Sequence, residues 1–125
     1  MPPYELKERT RLFALAVVEF CRHLPKTDEA REAARQLRRA ANSVRSNYRA
    51  SRTGRSRDEF ASRLAVAYEE ADECRDWLVY LADAQISSAP DLLEEARALT
   101  RILGASLRTT RANIARMKEL RKRSP

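Results

Sequence analysis

At 125 residues the chain is long enough for one domain with a sizeable core. Its 43% apolar and 34% charged residues, with only two glycines, describe strong helix formers and few breakers. Basic residues outnumber acidic ones 25 to 18, a net charge of +7 that favours anionic partners: nucleic acid, an acidic protein or an anionic membrane surface. Two cysteines with no C-x-x-C spacing exclude a disulfide-rich scaffold, and no apolar run reaches the ~20 residues that span a bilayer.

The opening Met1–Lys7 has no apolar segment of the kind that heads a secreted protein, so a cytoplasmic protein with buried thiols at Cys21 and Cys74 is expected. Leu6, Thr10, Phe13, Val17, Phe20 and Leu24 fall at three-and-four spacing and predict a first helix over 4–24, stopped by Pro25. Thr27 is placed to cap a second helix over 28–53, with Asp28 and Glu29 at the positive end of its dipole.

That second helix has three kinds of face. A seam of Ala30, Ala34, Leu37, Ala41, Val44, Tyr48 and Ser51 is spaced alternately four and three. A mostly small flank (Ala33, Gln36, Ala40, Ser43, Asn47, Ala50) lies on one side of it. On the other side run Arg31, Arg35, Arg38, Asn42, Arg45, Arg49 and Arg52. Seam and small flank cover too wide an arc for a simple surface helix, so this helix should touch neighbours on two sides.

Gly54 can take the left-handed backbone that ends a helix, and Ser56 with Glu59 forms a capping box for a third helix over 57–84. Its seam is Phe60, Leu64, Ala67, Ala71, Cys74, Leu78 and Leu81, with Ser62, Glu69, Asp76 and Asp83 on the wet side. The flank Arg63, Val66, Glu70, Glu73, Trp77 and Tyr80 mixes charge with bulk. After a break at Ala84–Pro90, Ser88 and Asp91 give a capping pattern for a fourth helix over 89–119. That helix should bury Leu92, Ala96, Leu99, Leu103, Leu107, Thr110, Ile114 and Met117 and fray into the basic run Lys118–Arg123. Four helices with short connections predict a single all-α domain, an up-down-up-down four-helix bundle.

Gln36-Leu37-Arg38-Arg39-Ala40-Ala41-Asn42-Ser43-Val44, Ser46-Asn47-Tyr48, Gly54-Arg55-Ser56, Phe60, Glu70-Ala71-Asp72-Glu73 and Trp77-Leu78 resemble the four-helix-bundle family of 23S rRNA intervening-sequence proteins. The resemblance implies a homopentamer of up-down bundles. The accessory variability determinant of diversity-generating retroelements, similar in architecture, binds nucleic acid and a reverse transcriptase, which implies those as partner classes. The plain Arg75-Asp76 before Trp77 departs from the apolar or aromatic residues that relatives often carry there.

The arginine row from Arg31 to Arg52 would be about 31 Å long, enough to follow a nucleic-acid backbone with planar guanidinium groups on phosphates. Against this, the second helix carries net positive charge and the third net negative, so part of the row should be neutralised within the fold. The candidate nucleic-acid contacts are Arg35, Arg45, Arg49, Arg52 and Arg55, with Arg116, Lys118, Arg121, Lys122 and Arg123 at the C-terminal end. Arg38, Arg39, Ser43, Asn47, Glu70 and Glu73 read as a structural polar network. Trp77 and Tyr80 read as core or interface aromatics.

Catalysis finds no purchase. A di-iron bundle needs Glu-x-x-His pairs, whereas the single histidine, His23, sits beside Leu24-Pro25 where a helix-end cap is expected. There is no phosphate-cradling glycine loop and no serine in a triad-like arrangement. The sequence therefore points to a non-enzymatic protein without metal or cofactor, self-associating, with a surface for RNA or DNA. The alternative is an oligomeric protein–protein scaffold with no nucleic-acid role.

Overall fold

The computed structural model describes residues 1–124, which form α1 (Pro3–Arg22), α2 (Asp28–Ser51), α3 (Arg57–Asp83) and α4 (Pro90–Arg123), with no strand among them. Sequential helices pack on each other and α4 returns to α1, while the backbones of the diagonal pairs α1–α3 and α2–α4 stay more than 8 Å apart. That is the contact pattern of a four-helix bundle. Cross-helix bonds give the antiparallel register. Arg39 of α2 reaches Glu70 of α3, and further along α2 Asn47 meets the earlier Arg63.

The seams meet in the middle. All seven seam residues of α2 are buried, as are Leu64, Ala67, Ala71, Cys74, Leu78 and Leu81 of α3. Leu6, Thr10, Phe13 and Val17 of α1 and Ala96, Leu99 and Leu103 of α4 complete the core. The buried Thr10 and Ser51 hydroxyls donate to backbone carbonyls of Lys7 and Tyr48, so neither is left unsatisfied. Cys21 and Cys74 are free, buried thiols, and burial pushes both up from the ordinary thiol range.

The helix starts differ in detail from the sequence expectation. Thr27 Oγ1 accepts the Ala30 N–H at 3.3 Å and Ser56 Oγ accepts the Glu59 N–H at 3.0 Å. The Glu59 carboxylate reaches back to the Arg55 N–H rather than to that of Ser56, closing the box one residue early. Ser88 does not cap α4; Ala89 holds the cap position, and Pro90 opens the first turn, where a missing N–H costs nothing. Gly54 is not left-handed. The positive φ, 59°, belongs to Gln85, which turns the chain between α3 and α4.

The end of α4 also departs in two ways. Burial in α4 stops at Leu107: Thr110 and Ile114 are half-buried and Met117 is exposed, because only the first turns of α3 cover that end. Yet α4 stays regular to Arg123 instead of fraying at 119. Among the described residues no helix is long and apolar enough to cross a membrane, and no group of three His, Cys, Asp or Glu is placed to hold a metal ion.

Candidate nucleic-acid interface

The α2 arginines divide according to the neighbour each one meets. Arg31 and Arg35 bond to Asp28 and Glu32 one turn back, and Arg45 donates to the Asn42 side-chain oxygen. Arg52 stacks over the Phe60 ring, 5.7 Å from its centre, a cation–π contact that ties the end of α2 to the start of α3. Arg49 and Arg55 are exposed, with no ion pair among the described residues.

The polar network is built around Arg39. Its guanidinium donates to Glu70 at 2.7 Å and to Glu73 at 2.5 Å, bridging α2 to α3 through two carboxylates one turn apart. Asn47 donates to the Ser43 carbonyl and hydroxyl, and accepts from Arg63 at 3.5 Å. Burial pushes the Glu70 carboxyl up, but hydrogen bonds with Arg39, Glu73 and Ser43 outweigh it and hold the group below the ordinary carboxylate range. The hydrogen bonds to Glu70 and Glu73 raise the Arg39 guanidinium further above its usual value. Arg38 does not join this network. It points along the other flank of α2 into a groove against α1, beside Arg11, Leu15, Val18 and Arg45.

Helix α4 carries the cations that spacing arguments passed over. From Ala96 to Arg123 it has nine basic residues and one acid, Glu119, so this stretch alone exceeds the net charge of the whole chain. Arg97, Arg101, Arg108, Arg111, Lys118 and Lys122 recur at intervals of four, seven, three, seven and four, and all six are exposed. At about 100° per residue they occupy one face about 100° wide, and at 1.5 Å per residue they run for about 37 Å. None of the six has an ion pair among the described residues, whereas Arg123 bonds Glu119 and Arg116 donates to Asn113. Arg121 lies toward the start of α3, near Ser56–Asp58. The signal was present as a near absence of acids along this stretch, hidden by the apolar seam of the same helix.

A sequence model of the 23S rRNA-intervening sequence protein family matches residues 4–105. The chain belongs to that family. No protein of curated function is significantly similar to it. Among solved structures, it is similar to a protein of unknown function from the S23 ribosomal protein family of Bacteroides thetaiotaomicron, seen in a crystal structure at 1.70 Å. The two share 21% identity with a TM-score of 0.79, over 86% of this chain and 99% of that one. At that identity the likeness concerns the fold. The family match takes in Arg39, Glu70 and Glu73 but stops at Ala105, so the cations from Arg108 onward lie beyond the matched stretch.

Proposed function

We propose that this member of the 23S rRNA-intervening sequence protein family is a non-enzymatic, cytoplasmic homo-oligomer. In this reading the outer face of α4 binds RNA or DNA by its phosphate backbone, with little sequence preference. The observation that carries it is the α4 stripe: six exposed cations spread over about 37 Å of one helix face, without carboxylates of their own to neutralise them. Arg49, Arg55 and the terminal Arg116, Arg121 and Arg123 add to that field from the flanks. In a pentamer, which the resemblance implies, the formal charge would be fivefold that of one chain, and attraction to a polyanion would be strong at low salt. The family's description makes fragments of 23S rRNA the first polyanions to test.

Binding of a fluorescein-labelled single-stranded RNA, followed by anisotropy across a potassium chloride series, tests this. Six phosphate contacts give a slope of log K against log salt of about −4. Arg101→Glu, Arg108→Glu and Arg111→Glu together should cut affinity more than tenfold and flatten the slope by about 2, with helicity unchanged. Salt-insensitive binding overturns the reading. So does an unaffected α4 triple variant beside a loss from Arg45→Glu, Arg49→Glu and Arg52→Glu, which would put the contact on α2.

A scaffold without nucleic acid is the second reading, favoured by the apolar residues Leu12 and Leu15 that α1 leaves exposed. A stoichiometric protein partner retained after nuclease treatment, with no RNA shift at low salt, would select it.

A further inference from the structure

Helix α1 is apolar on two opposite faces. Leu6, Thr10, Phe13 and Val17 face the core, while Leu12 and Leu15, each about half exposed, face away from it. Beside Leu15 a groove of about 410 Å³ opens between α1 and α2, with Val18 in its wall and Arg11, Arg38 and Arg45 around it. No acid lines that groove. Arg38 and Arg45 have no ion pair among the described residues, and only Arg11 has a carboxylate, that of Glu8.

The opposite chemistry lies across the bundle. On α3, which lies diagonal to α1, Glu69, Glu73, Asp76, Tyr80 and Asp83 recur at intervals of four and three and form one stripe on the side away from the core seam. Tyr80 is half exposed and is propped by Trp77, whose ring meets it edge-on with centres 5.6 Å apart. Of these four acids only Glu73 has a cation among the described residues, Arg39. An acidic ridge with an aromatic set between its last two acids thus stands on one side of the molecule. An arginine-rimmed apolar groove lies on another.

We infer that the ridge of one copy seats in the groove of the next. Tyr80 packs on Leu15 and Val18, and Glu69, Asp76 and Asp83 lie against Arg11, Arg38 and Arg45. The occupant is a second copy because the two surfaces of this one chain match in both sign and shape class: acid to arginine, projecting aromatic to apolar hollow. Since the surfaces differ and sit on different sides, the contact is heterologous and repeats around a closed ring when the rotation permits. This rests on the proposed homo-oligomer and adds which faces make it. It also takes Arg38 and Arg45 out of nucleic-acid binding and leaves that task to α4.

Cysteine cross-linking tests it, because the native Cys21 and Cys74 are buried and silent. The Leu15→Cys/Tyr80→Cys chain, oxidised with copper phenanthroline, should give a non-reducing gel ladder whose top rung is the ring number. Each single variant should give none. Leu15→Asp should release monomers in light scattering without loss of helicity. A wild-type monomer would sink the homo-oligomer reading itself. A multimer that yields no ladder, that survives Leu15→Asp, or whose Leu15→Cys single variant dimerises through a symmetric α1–α1 contact, would overturn this assignment alone.

Discussion

Arg39 is the residue through which α2 and α3 are charge-coupled, and its position explains why neighbouring arginines behave differently. Successive helical residues are about 100° apart, so Arg38 and Arg39, adjacent in sequence, leave the α2 seam on opposite flanks. One meets the carboxylates of α3, the other the apolar groove of α1. Because the Glu70 side chain is only 15% exposed, its bond to Arg39 lies between a surface pair and a buried one in strength. Glu70→Gln, which leaves Arg39 with Glu73, should cost about 1 kcal/mol of unfolding free energy at pH 7. The folded carboxyl titrates below its unfolded counterpart. Its stabilisation is therefore fully present above the unfolded carboxylate range, near pH 4.3, and is lost as pH falls through the lower folded value. Urea titrations at pH 7 and pH 3 should show the gap between the two proteins close; a gap that widens in acid would contradict the pair.

At the scale of helices, α4 lies close to α3 at one point. A Cβ added at Gly104 would come within 2.8 Å of the Tyr68 ring, nearer than such atoms approach, with the Arg108 guanidinium on the other side. Alanine at this helix position gains roughly 1 kcal/mol in propensity, but overpacking a seated ring costs about 1–3 kcal/mol. Gly104→Ala should thus lower stability by about 1 kcal/mol in the native background and raise it by about as much where Tyr68 is also alanine. Thermal melts of the four proteins of that cycle check the sign change. No spacing rule marks Gly104, since its smallness answers a side chain 36 positions away. The seams were legible because alternating four-and-three spacing of Ala30 through Ser51, or Leu64 through Leu81, is written in a single helix. The turn chemistry was less so. Gly54 turned out to need no left-handed backbone, whereas Gln85 took one, because the path from α3 into α4 is set by their packing. Legibility was poorest at the surface, where spacing rules single out neither Arg101 nor Arg108, and the pattern emerges only when the single acid between Ala96 and Arg123 is set against nine cations.

Charge and packing are segregated across the molecule as a whole. The stretch from Ala96 to Arg123 holds a net +8 by sequence, so everything before it sums to −1. Burial runs the other way along the same helix: Ala96, Leu99, Leu103 and Leu107 lie in the core, and every described residue from Ala115 onward is exposed. The terminal turns therefore contribute charge and almost nothing to the core. Ending the chain after Ile114 removes Arg116, Lys118, Arg121, Lys122, Arg123 and Glu119 but no buried side chain. The truncated protein should fold with cooperativity intact and a melting temperature within a few degrees. Its RNA affinity should fall, and its salt slope should shrink by about 1.4, since two of the six stripe cations are lost and counterion release follows the number of phosphates neutralised. Ending it after Ala98 instead deletes Leu99, Leu103 and Leu107. Each costs about 2–5 kcal/mol when merely cut to alanine, so their joint loss exceeds the ~5–15 kcal/mol that a domain has in hand. That chain should show no cooperative melt. A truncation after Ile114 that unfolds the protein would mean that Met117 and Leu120 are covered in the working assembly. One that folds and keeps the full salt slope would remove the end of α4 from the nucleic-acid surface and leave Arg97, Arg101, Arg108 and Arg111 to carry it.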